Sequence, residues 1–178
     1  MWRNILKYGV IAGLVVAAAM WGTLLAFGKQ MPHGWLGMAL GYLGMLVALS
    51  AVFVGIKHHR DVDRGGVIRF WPAFGLGLGI SLVAAVFYVL AWELAQATVV
   101  GDFAGHYAAA AIAQAKAGGA DAAELARLTA QMEAFKVQYA DPLFRLPMTF
   151  AEIFPVGVLV SLLSAAVLRN PRVLPARG

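Results

Sequence analysis

Cysteine is absent from this 178-residue chain, so neither a disulfide framework nor a thiolate metal site is available to it. Charge is scarce too. Asp, Glu, Lys and Arg make up 13% of the residues, against about 25% in soluble domains, and 61% of the residues are hydrophobic. That balance excludes an ordinary soluble domain and reads as an integral membrane protein. Also missing are a phosphate-binding glycine loop, a nucleophile elbow and a paired-histidine zinc motif on a helix. Ser50, Ser81, Ser161 and Ser164 fall in apolar runs without a nearby His or Lys base. The expectation is therefore a protein that is not an enzyme, with no cofactor and no metal centre. His58, His59, Asp61 and Asp63 have metal-ligating side chains, but adjacent histidines in a charged loop diverge, so 57–66 is expected to be a solvated loop.

What is present is four long apolar runs, at about 8–27, 34–56, 73–100 and 147–168. Roughly 20 apolar residues cross a ~30 Å hydrocarbon core as a helix. The first run shares a basic flank and small residues with signal peptides, yet it is longer than a typical signal core and is expected to be a retained span. Gly9, Gly13 and Ala17 form a stripe that permits close helix approach. In the second run, small residues at 34, 37, 41, 44, 48, 51 and 55 alternate three-four spacing, the pattern of a packed left-handed helix pair. The neighbour is either in the same chain or in a second copy. Gly75, Gly77, Gly79 and Ser81 crowd the start of the third run.

Residues 102–141 change character: polar, alanine-rich and without a spanning run. Gly118-Gly119 breaks them into two predicted helices, and Asp121 with Glu124 resembles a capping box. Leu125, Leu128, Met132, Phe135 and Tyr139 mark one apolar stripe on the second helix, and Phe103, Tyr107, Ala110 and Gln114 a thinner one on the first. Asp141-Pro142 supplies the next helix start. The predicted fold is all-α: one membrane domain of four transmembrane helices, with an extracytoplasmic helical hairpin between helices 3 and 4.

Four spans place both termini on one side. That side, with the 57–72 loop, holds Arg3, Lys7, Lys57, Arg60, Arg64, Arg69, Arg169, Arg172 and Arg177 against only Asp61 and Asp63. On the other side Lys29, Lys116, Arg127, Lys136 and Arg145 balance Asp102, Asp121, Glu124, Glu133 and Asp141. By the positive-inside rule both termini are cytoplasmic and the hairpin is exported. The basic loop and tail are expected to meet anionic headgroups of the bilayer, at about 1 kcal/mol per residue. The placement of these charges accounts for the basic excess without nucleic acid.

Two carboxylates remain inside the apolar runs, Glu93 and Glu152. A charge in hydrocarbon costs at least a few kcal/mol, so such a residue is a functional-site candidate by default. Counting residues puts both about one turn inside the outer boundary. Tyr88, Trp92 and Gln96 lie near Glu93, and Thr149 near Glu152. Pro155 frees the Ala151 carbonyl and is expected to kink the helix beside Glu152. Two close carboxylates would share a proton or hold a cation. The alternative is a structural role for each, bonding to the other, to Gln96 or Tyr88, or to Lys29, His106 or Arg145.

Several segments together resemble domain-of-unknown-function family 4199 of small bacterial membrane proteins. They are Asn4 to Gly9, Gly41-Tyr42-Leu43, Gly55-Ile56-Lys57, Tyr88 to Glu93, and Met148 to Gly157. The resemblance implies a multi-pass protein of the bacterial inner membrane and brings no activity. The expected function is that of a non-enzymatic structural or interaction protein, packing or oligomerising through small-residue stripes with a second copy or another membrane protein. The alternatives are a small proton- or cation-linked transporter, or a lipid- or ligand-binding protein using the carboxylate pair.

Overall fold

A computed structural model describes residues 1–27 and 35–175. Among them are six α-helices and no strand: α1 (Trp2–Phe27), α2 (Trp35–His58), α3 (Phe70–Ala95), α4 (Phe103–Ala117), α5 (Ala122–Ala140) and α6 (Pro142–Leu168). Single π-helical turns extend α2 over His59–Asp63 and α3 over Gln96–Val100. The four helices α1, α2, α3 and α6 are long and apolar enough to cross a membrane. The 28–33 link predicted between the first two spans lies outside the described residues. α1 and α6 start about five residues before the predicted spans, and α6 runs unbroken through Pro147 and Pro155.

The chain divides into two compact units, Met1–Trp92 with Phe150–Gly178, and Glu93–Thr149. In the first, glycines set the helix register. A Cβ added at Gly9 would lie 2.6 Å from Val83 Cβ, one at Gly13 2.5 Å from Phe87 Cβ, and one at Gly79 2.8 Å from Ile5 Cδ1. Partners at 5/79, 9/83 and 13/87 advance together by four residues, so α1 and α3 run parallel. Gly77 meets Ser161 and Gly157 meets Ser81, so α3 and α6 run antiparallel. Ser81 Oγ lies 3.2 Å from Ser161 Oγ, and both hydroxyls donate to the Gly157 carbonyl, at 3.2 and 2.7 Å. These buried serines are thus satisfied packing groups. Substituting Gly13 by Ala is expected to destabilise the protein by about 1–3 kcal/mol through overpacking against Phe87, read as a lower melting midpoint in detergent.

One end of this unit departs from the sequence expectation. Only part of 57–66 is a solvated loop: residues 62–65 are exposed, but the π-turn continues α2 to Asp63 and turns His59 and Arg60 inward, leaving them 3% and 0% exposed. Arg60 donates from Nη1 to the carbonyl of Val173 (2.9 Å) and more weakly to that of Leu168 (3.4 Å), from Nη2 to that of Leu174, and from Nε to Asp61 Oδ1 (2.6 Å). Lys57 closes the group by pairing with Asp61. A guanidinium suits this seat because it presents several fixed donors to the last carbonyl of α6 and to two in the tail beyond it. Beside it, Asp63 Oδ2 lies 2.7 Å from both Asn4 Nδ2 and His59 Nδ1. His58 turns instead toward the ring of Tyr8, with centroids 5.7 Å apart.

The second unit contains the helical hairpin. Asp102 and Asp121 cap α4 and α5, accepting from Gly105 N and Glu124 N at 2.8 Å each, as the capping pattern at Asp121 predicts. Gly119, at φ +83°, makes the break between them. Asp141 accepts from Leu143 N (2.9 Å), and α6 opens at Pro142. The α5 stripe is half-buried or buried along its length, whereas α4 buries Ala104 and Ala108 rather than a face through Gln114. Small alanines let the helices approach, and the aromatic residues interlock at one end: Phe103 with Tyr139, Tyr107 with Phe135, and Phe135 with Tyr139, at 5.3–5.7 Å between centroids.

Candidate functional site

Each membrane carboxylate has its own partner. In the second unit Arg145 grips Glu93 with two donors, Nε to Oε1 at 2.8 Å and Nη2 to Oε2 at 2.7 Å. Such a fork is the strongest geometry for this pair. The remaining Arg145 nitrogen, Nη1, donates to the Tyr139 carbonyl (3.1 Å), and the guanidinium lies 5.8 Å from the Tyr139 ring centroid. Glu93 is therefore an ion-pair member tying the end of α3 to the start of α6. Thr149 donates to the Arg145 carbonyl one turn back (3.0 Å), bracing the same segment. Gln96 sits in the π-turn with a buried Oε1 that has no partner among the described residues.

In the first unit the Tyr88 hydroxyl donates to Glu152 Oε2 at 3.0 Å. α6 reaches Glu152 ten residues after Pro142, about 15 Å along the helix and near its centre. Among the described residues no Lys or Arg nitrogen lies within 4 Å of it.

Tyr88 and Trp92 also contribute to a second feature, a mostly apolar cleft of about 180 Å³ between α1, α2 and α3. Val16, Met20 and Leu24 form one wall, Leu40, Gly41 and Gly44 another. Thr23 reaches the cleft but donates to its own helix at the Ala19 carbonyl (2.9 Å), so it adds little polarity. Here the α2 stripe of small residues divides in two. Ala48 and Gly55 are buried, Gly55 against Tyr8 and Ile80, whereas a Cβ at Gly41 would meet nothing within 4 Å among the described residues. Tyr42, next to it, points away and is 52% exposed.

Of the residues singled out from the sequence, Glu93 stands with Arg145, Glu152 with Tyr88, and Tyr88 with Trp92 at the cleft. Arg145, Gly41 and Thr23 were not singled out as site residues. Arg145 was named only as one of several partners for a carboxylate, and the α2 stripe was the one signal for the cleft. Against known proteins, the family described as protein of unknown function (DUF4199) matches residues 7–170. No curated protein and no solved structure matches.

Proposed function

The chain belongs to the DUF4199 family of proteins of unknown function, and on that premise we propose that it is a non-enzymatic, multi-pass membrane protein that holds a lipid hydrocarbon chain between α1, α2 and α3. The observation that carries this reading is the open half of the α2 stripe. Gly44 still meets Ala19, at 3.4 Å from an added Cβ, but Gly41 one turn earlier borders space instead. Inside a bilayer, an apolar opening of this kind meets acyl chains, not water. Its ~180 Å³ exceeds the roughly 150 Å³ of a dry apolar cavity that takes benzene, and falls below the ~300 Å³ of typical small-molecule sites. A segment of chain is the occupant that fits.

The sidedness of the charges supports an inner-membrane protein with both termini cytoplasmic and the α4–α5 hairpin exported. Transport through a shared carboxylate pair has less support, since Arg145 already neutralises Glu93. Association of two copies through the α2 stripe is the competing reading, and it would use the same Gly41 surface.

Gly41→Phe tests the proposal. A Cβ at this position meets no described atom within 4 Å and the ring has the cleft to enter, so the melting midpoint is expected to hold, while lipid retained in native mass spectrometry falls about tenfold. That factor corresponds to displacing about two methylenes at ~0.8 kcal/mol each. Unchanged lipid retention would remove the basis of the reading, and a shift from dimer to monomer would favour the competing one.

A further inference from the structure

We propose that Glu152 is a proton-binding site within the membrane, taking up and releasing one proton with Tyr88 as its hydrogen-bond partner. The inference does not depend on the cleft being occupied.

Composition around Glu152 is the first support. In the apolar segments of the first unit, 8–27, 35–56, 70–92 and 150–168, the titratable side chains are Tyr8, Tyr42, Tyr88 and Glu152. α6 packs on α3 through Gly157 and Ser161, and on α2 through Gly157 near Leu49. From α3 the group facing the carboxyl is Tyr88; α2 between Leu43 and Ile56 carries no titratable side chain. No described cation pairs with it, and Arg145 spends its donors on Glu93 and Tyr139.

A lone carboxylate in hydrocarbon escapes its solvation cost by binding a proton. The exposure of Glu152 on the surface of the unit leaves the carboxyl open to a reagent dissolved in the lipid, and one feature keeps its proton exchangeable. The Tyr88 hydroxyl donates to Oε2, a bond that favours the ionised form and leaves Oε1 to carry the proton in the neutral form. Glu93, held by a guanidinium, has no such need, which separates two residues that look alike in the sequence.

A hydrophobic carbodiimide reads this state directly. Its central carbon is attacked by the carboxyl oxygen while the carboxyl proton passes to a carbodiimide nitrogen, so a membrane-buried protonated acid is labelled in preference to ionised ones in water. With full-length protein in vesicles treated with dicyclohexylcarbodiimide, peptide mass spectrometry is expected to place the adduct on Glu152. Labelling should decline as pH rises. Tyr88→Phe, which keeps the ring, should shift that decline to higher pH, because the ionised form loses its donor. Glu152→Gln should abolish the adduct, with the melting midpoint as a check on folding. Labelling that favours Glu93 or the surface acids, or labelling of Glu152 that is flat from pH 5 to pH 9, would overturn the proposal.

Discussion

Replacing Arg60 with methionine is expected to destabilise the protein by about 3–5 kcal/mol, the cost typical of removing one partner from a buried charge network. The guanidinium is fully buried and serves the carbonyls of Leu168, Val173 and Leu174 together with Asp61. Methionine fills similar volume but strands those oxygens and leaves Asp61 with Lys57 alone. Lysine at this position is expected to restore the charge but only part of the stability, since one ammonium cannot reach carbonyls spread around a planar fork. Unfolding of both variants in mild detergent, followed by circular dichroism, measures the difference. If Arg60→Met melts with the parent protein, the seat contributes nothing to stability.

The second large effect is expected at Arg145. Arg145→Ala leaves Glu93 without its counter-ion, in a pair whose side chains are 15% and 29% exposed. That exposure lies between the surface and buried regimes, so a loss of about 2 kcal/mol is expected. Because the pair joins α3 to α6 within the second unit, the loss should surface there first, as faster proteolysis of the turn at Gly118-Gly119. Adding Glu93→Gln removes the stranded charge and should recover a measurable part of the loss. Additive effects of the two changes would mean that the ion pair is not coupled.

Much of this architecture was legible because its determinants are local. Apolar run length marks the four helices long enough to cross a membrane, and Asp102, Asp121 and Asp141 announce helix starts through contacts two or three residues away. Gly9 and Gly13 likewise show close approach, although nothing in them names Val83 or Phe87 as the partners. The helical, partly buried stretch within 57–66 escaped notice for the opposite reason. Its charge looks like a solvated loop until the carbonyls that receive Arg60 are placed, and those lie 108 to 114 residues further on. Glu93 and Glu152 stood out as unusual, but their difference depends on partners 52 and 64 residues away. The cleft was hidden in a pattern whose spacing is continuous while its surroundings are not.

The seat of Arg60 also orders events during synthesis. α2 is made well before the end of α6, and at about 5–20 residues per second the interval is roughly 5–20 s. Through that time Arg60 has no carbonyls to receive it and must stay in water or among phosphates. Its end of α2 is therefore held at the surface until the last helix arrives. Closure of that end of the unit is then expected to be a late step, since its acceptors are the last part of the chain to be made.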